Sequence, residues 1–136
     1  MDLMMSDMMK SMPMDAMPGM DMGAMQECIE ACSAAAMAAT MCADADQGDG
    51  MDSACSTCTN CADVATTMMR MMLRPNGYDE MVMSTMLAAT IAMGQACAEE
   101  CRMHADMHEH CRICAQACDA MVSSCEKLMA TMTSMT

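Results

Sequence analysis

Residues 107–132 read MHEHCRICAQACDAMVSSCEKLMATM, and one spacing runs through the whole segment. Met107, Cys111, Cys114, Cys118, Met121, Cys125, Leu128 and Met132 follow one another in alternating steps of four and three. Residues so spaced stack on one face of an α-helix, as they do where a bundle helix meets its core. Sulfur therefore points inward at successive levels of one interior. Such a column can serve as packing, as a disulfide framework or as a container for metal.

The spacing recurs upstream. Residues 25–43 predict a helix with Met25, Cys28, Cys32, Ala35, Ala39 and Cys42 on its inner stripe. The polar run DADQGDG at 44–50 reads as a loop, after which Asp52 or Ser53 can cap a second helix. That helix carries Met51, Cys55, Cys58, Ala62, Ala65, Met69 and Met72 inward, with Cys61 beside the stripe, and stops at RPNG, residues 74–77. A third helix starts at Tyr78 or Asp79 and runs to His104, with Met83, Leu87, Thr90, Gly94, Cys97, Cys101 and His104 inward. Residues 102–110 hold neither Gly nor Pro. One unbroken helix here would nevertheless span about 55 residues and roughly 80 Å, too long for its partners to cover. A tight turn is therefore placed at 104–108. Cys28, Cys32 and Cys42 repeat the separations of Cys97, Cys101 and Cys111, which reads as two related hairpins. The expected fold is all-α: an antiparallel up-down-up-down four-helix bundle over 25–136. Before it, residues 1–24 read as a flexible, disordered Met-rich tail broken by Pro13, Pro18, Gly19 and Gly23.

Composition narrows the choices. A chain of 136 residues fits one domain, and its 28 Met and 12 Cys accompany a single aromatic residue, Tyr78. Ala and Met favour helix. The net charge of −13 argues against nucleic acid and anionic membrane surfaces as partners. Uninterrupted apolar runs are too short to cross a bilayer, and no export signal opens the sequence. The chain thus reads as cytosolic or as the mature form of an exported protein. No phosphate-binding glycine loop or Cys/His/Asp constellation stands apart, so an enzyme is not expected.

Packing alone accounts for one or two cysteines; twelve carry an oxidation liability. Disulfides suit the even count, but stapled chains are usually small and loop-rich. Bridges within Cys28/Cys32, Cys97/Cys101 or Cys114/Cys118 would also join consecutive turns of one helix and constrain little. Structural zinc asks for four converging ligands, and iron–sulfur clusters for cysteines wrapped around each cluster. Thiols strung along straight helices instead suit an ion content with two or three sulfurs each, and Cu(I) is the soft ion such ligands select. Thioethers strengthen that choice, being poor zinc ligands, good Cu(I) ligands and free of any proton to lose. The tail repeats Met4-Met5, Met8-Met9, Met12-Pro13-Met14 and Met20-Asp21-Met22 read as copper-capturing segments.

The candidate metal ligands are Cys28, Cys32, Cys42, Cys55, Cys58, Cys61, Cys97, Cys101, Cys111, Cys114, Cys118 and Cys125. Met41, Met51, His104, Met107 and His108 join them as a ring around one mouth of the core, where copper would be admitted. His110 reads as an exposed turn residue. The opposite end, with Met69, Met72, Met83, Leu87, Leu128 and Met132, reads as ordinary packing. The competing expectation is a zinc- or disulfide-based structural or redox protein.

Taken together, Cys28-x3-Cys32, Cys55-x2-Cys58-x2-Cys61, Cys97-x3-Cys101 and Cys111-x2-Cys114-x3-Cys118 resemble the copper storage proteins, over about residues 25–136. The resemblance implies a Cys-lined four-helix bundle holding multiple Cu(I) ions along its axis, with His and Met ligands near an open end. It implies copper ions as cargo, copper chaperones or copper enzymes as partners, and a homo-oligomer, a tetramer in exported members. The cysteine number and Met content look more like the exported branch, so an exported, periplasmic mature chain is expected, with the cytosol as the alternative.

Overall fold

Two aspartates begin long helices by the same device. Asp21 accepts a hydrogen bond from the Ala24 N–H at 3.0 Å, and Asp79 accepts one from the Val82 N–H at 3.0 Å. Each satisfies a first-turn donor that has no partner within the helix. The computed structural model describes residues 3–12, 20–48 and 50–133. Among these the helices are α1 (Leu3–Lys10), α2 (Met22–Ala45), α3 (Asp52–Met72), α4 (Glu80–Arg102) and α5 (Glu109–Thr133), with a short 3₁₀ turn at Pro75–Gly77. No strand occurs among the described residues. α2 packs on α3, α3 on α4, α4 on α5 and α5 back on α2, which closes a ring around one interior.

Several expectations change in detail. Part of the tail is helical: Leu3–Lys10 forms α1 and buries Met9, since Met is a strong helix former and one apolar face finds a groove to cover. Residues 1–2 and 13–19 of that tail lie outside the described residues. Neither Asp52 nor Ser53 caps α3; Met51 holds the capping position without a side-chain bond, and Asp52 falls in the first turn. The loop before α3 turns through Gly48 and Gly50 at φ 85° and 72°, a region that side chains with a Cβ resist. Residues 103–107 form the turn between α4 and α5. The matched spacings of Cys28/Cys32/Cys42 and Cys97/Cys101/Cys111 do not mark matched architecture. The first three share α2, whereas the turn separates Cys111 from the other two.

Met22–Ala45 and Glu80–Arg102 are long and apolar enough, by length and composition, to cross a membrane, although the apolar residues of each are interrupted by polar ones. Both are ring helices with a fully buried face of Cys, Ala, Met and Leu, which is where much of their apolar character goes.

Between and beyond the cysteines the interior is filled by Met25, Met68, Met72, Leu87, Met121 and Leu128, all essentially inaccessible. Here α4 and α5 meet at Gly94. A Cβ on that residue would sit 2.8 Å from Val122 Cγ2 and 3.0 Å from Met121 Cε. Val122 is β-branched and cannot swing aside cheaply. Gly94→Ala is expected to lower stability by about 1 kcal/mol: overpacking costs ~1–3 kcal/mol, while alanine returns up to ~1 kcal/mol of helix propensity. Urea unfolding of the metal-free protein measures this, and an unchanged midpoint would show that the α4–α5 contact relaxes freely.

Candidate metal centre

The inner faces of the four long helices bring their thiols together in four groups that follow one another along the bundle. Cys28 and Cys32 of α2 meet Cys125 of α5; Cys61 of α3 meets Cys97 of α4 and Cys118 of α5. Next come Cys42, Cys58, Cys101 and Cys114, one from each long helix, and last Cys42 again with Asp46, His110 and Cys111. Within each group the potential ligand atoms all lie within 4.8 Å of one another. Contacts such as Cys28–Cys125 at 3.5 Å, Cys58–Cys101 at 3.7 Å and Cys61–Cys118 at 3.8 Å cross between helices. Every cysteine is a free thiol.

Cys55 stands outside these groups. It is half-buried and its Sγ donates to the Ala43 carbonyl at 3.3 Å. Cys61, expected beside the stripe, is fully buried within it. The buried residues of α3 are Ala54, Cys58, Cys61, Ala62, Ala65, Met68 and Met72, sharing Cys58, Ala62, Ala65 and Met72 with the expected stripe.

At the end of the column the structure adds two residues to the predicted set. Asp46 follows the last turn of α2, where its N–H bonds to the Cys42 carbonyl, and it is only 1% exposed. Cys42 Sγ donates to Asp46 Oδ2 and Cys111 Sγ to Asp46 Oδ1, both at 3.8 Å. His110 Nδ1 lies 3.3 Å from Cys42 Sγ, 3.6 Å from Cys111 Sγ and 3.7 Å from Asp46 Oδ1. Its ring centroid is 5.3 Å from that of His108. A loop aspartate gives no periodic signal. His110 was legible only as the neighbour of Cys111, one position off the stripe.

The other predicted mouth residues are placed differently from one another. Met51 is buried, His108 is half-buried, and His104 Nε2 sits 4.0 Å from Glu100 Oε1. Met41 and Met107 are 72% and 85% exposed.

Electrostatics keep most of these thiols protonated. Burial pushes Cys111 up to about 11 and raises Cys42 well beyond the ordinary thiol range. The hydrogen bond each shares with Cys125 raises Cys28 and Cys32. Cys58 and Cys118 rise through their bonds to Cys101 and Cys114 respectively. In return the S–H groups of Cys28 and Cys32 hold Cys125 down at about 4, and Cys101 leads those that hold Cys114 at about 4. The Cys28/Cys32/Cys125 group and the four-thiol group thus each hold one thiol poised for a cation beside others that must lose protons to bind one.

The family model described as copper storage protein matches residues 20–130. This chain belongs to the copper storage protein family. A copper storage protein of Streptomyces lividans loaded with 10 copper equivalents is 39% identical, with a TM-score of 0.87, covering 91% of this chain and 96% of that one. A cytosolic copper storage protein from Streptomyces lividans carrying five coppers is 40% identical, with a TM-score of 0.77 over 79% of this chain and 93% of that one. A Streptomyces lividans mutant with two histidines changed to alanine is 38% identical, with a TM-score of 0.80, covering 83% and 98%. No curated protein sequence matches significantly. The expectation of an exported, periplasmic chain is corrected by these comparisons, because the Streptomyces relative is described as cytosolic.

Proposed function

We propose that this chain stores multiple Cu(I) ions on the thiolates of its core, in the cytosol, without catalysing a reaction. The observation that carries the reading is the convergence of eleven cysteines from four helices into four groups, with Cys42 shared between two of them. Bridging thiolates let neighbouring ions share ligands, so a continuous column holds more ions than isolated sites would. The predicted ligands are Cys28, Cys32, Cys42, Cys55, Cys58, Cys61, Cys97, Cys101, Cys111, Cys114, Cys118 and Cys125. The storage unit is a four-helix up-down-up-down antiparallel bundle over residues 25–136, with residues 1–24 as an appended Met-rich tail. Its partners are copper ions and the copper chaperones or enzymes that exchange them, and the bundles associate as homo-oligomers.

Copper is admitted and released at the His/Met end assigned to Met41, Met51, His104, Met107 and His108, and the Asp46 and His110 side chains beside Cys42 and Cys111 support that placement. As an ion reaches Cys42 and Cys111, the thiol protons need acceptors. His110 Nδ1 and the Asp46 carboxylate are the groups within contact distance of both sulfurs. The apolar plug at the far end favours traffic through this mouth.

Anaerobic Cu(I) titration of the reduced protein tests the reading. Saturation is expected at roughly one ion per cysteine, on the order of a dozen, given shared thiolates. Saturation after a few equivalents would sink it. The four-thiol group also suits tetrahedral zinc, as does the Cys42/Asp46/His110/Cys111 group that shares Cys42 with it, so the same titration with Zn(II) is expected to stop after about one or two ions. Asp46→Asn combined with His110→Ala is expected to leave Cu(I) capacity within one or two ions of the parent, but to slow loading about tenfold or more, as loss of a positioned proton acceptor does. Stopped-flow mixing with a chromophoric Cu(I) chelate measures the rate. Unchanged kinetics would remove these residues from the path.

A further inference from the structure

Outside the thiol column, thioethers gather on one face of the bundle. Met5 of α1, Met37 of α2 and Met69 of α3 line a single open cleft of about 370 Å³, with Glu30 and Ser33 on its α2 wall. Three separate helices therefore deliver one methionine each to the same space. Met37 is 60% exposed, so its thioether is open to solvent at the cleft. A second cleft, of about 340 Å³, adjoins the first and shares Met37 with it, and Met41 lies at its other end. Met37 and Met41 stand one helical turn apart on the same face of α2. Met41 immediately precedes Cys42, whose Sγ belongs to the mouth group.

We infer that the cleft formed by Met5, Met37 and Met69 is an external thioether site for a soft monovalent cation, Cu(I) in this family, and that Met37 and Met41 connect it to the mouth. The inference rests on the copper reading above but uses none of the column's ligands. Thioether sulfur is a soft neutral donor and selects Cu(I) over zinc, calcium or magnesium. The Glu30 carboxylate at the cleft supplies negative charge that offsets the cation. Transfer from this site toward the mouth is an exchange of one neutral thioether for another around Cu(I). No electron moves, and no proton is released until the ion reaches a thiol. The site thus differs from the column in a measurable way: its thioether donors release no proton on binding, whereas every protonated thiol must lose one to bind metal.

The test uses the full-length reduced protein carrying 13C-methyl methionine. It is titrated anaerobically with Cu(I), and in parallel with Ag(I) as a redox-inert probe. Thiols fill first. Beyond column saturation, the methyl signals of Met5, Met37 and Met69 are expected to shift together over about one further equivalent, with the same midpoint from about pH 7.5 to about pH 5.5. Met37→Leu keeps volume and helix propensity at an exposed position; it should abolish the shared shift of Met5 and Met69 and leave column capacity unchanged. The proposal is overturned if those methyls do not move together, if methyls across the chain shift in proportion to exposure, or if Met37→Leu behaves as the parent does. A column that fails to load while these three methyls still respond would instead remove the storage reading and leave this site standing.

Discussion

The copper-loaded bundle is expected to unfold at least about 15 °C above the copper-free one, in anaerobic thermal scans followed by far-UV circular dichroism. Each ion bound only by the folded state adds about 4 kcal/mol when free metal stands 1,000-fold above Kd. Four groups would then contribute on the order of 16 kcal/mol, and a domain of this size gains roughly 3 °C or more per kcal/mol. The unfolded chain keeps its twelve cysteines and binds copper too, which lowers the net effect. What remains is the advantage of sulfurs already held within 4.8 Å across helices, such as Cys28 with Cys125 and Cys61 with Cys97 and Cys118. An unchanged unfolding temperature would place the copper outside the core.

Copper affinity is expected to weaken as pH falls, by about tenfold per pH unit for each proton that an ion displaces. Cys111, raised to about 11, and Cys42, raised by burial, are protonated at neutral pH, so metal must expel their protons. Acid supplies the competing protons, which fixes the sign. The earliest ions should show a shallower dependence, because Cys125 and Cys114, held at about 4, are already thiolates above that pH. Competition against a chromophoric Cu(I) chelator between about pH 5.5 and 7.5 measures the slope. A flat profile across all equivalents would mean that the thiols are ionised before copper arrives, contrary to the effect of their burial.

Much of this protein is legible in its residue order. The ladder through Cys111, Cys114, Cys118, Cys125 and Leu128 is wholly buried as its spacing requires. The ladder of residues 25–43 is buried position for position and that of 83–104 as far as Cys101, whereas His104 is half-buried and Met107, the first position of the last ladder, is exposed. Helix α3 departs from its expected stripe. A buried face spans about 100° or more of a helix, so two four-three ladders overlap at Cys58, Ala65 and Met72. Cys55 and Met69 lie to one side of that overlap, and Cys61 and Met68 to the other. Periodicity cannot choose between them. Packing against α2 and α4 does, and it sends Cys61 inward while Cys55 stays half-buried.

The mouth divides in the same way. Spacing alone establishes a sulfur column and, with the breaks at 44–50 and 74–77, the extents of the helices that build it, because those properties are local and periodic. Which thiols share an ion is a matter of contact between residues far apart in the chain. Cys42 meets Cys58, Cys101 and Cys114 across three other helices. Asp46 becomes part of a metal centre because the end of α2 folds over the start of α5, bringing its buried carboxylate within 3.8 Å of Cys111 and 3.7 Å of His110. Composition marks Asp46 as one polar loop residue among several; a partner 64 positions away gives it chemistry.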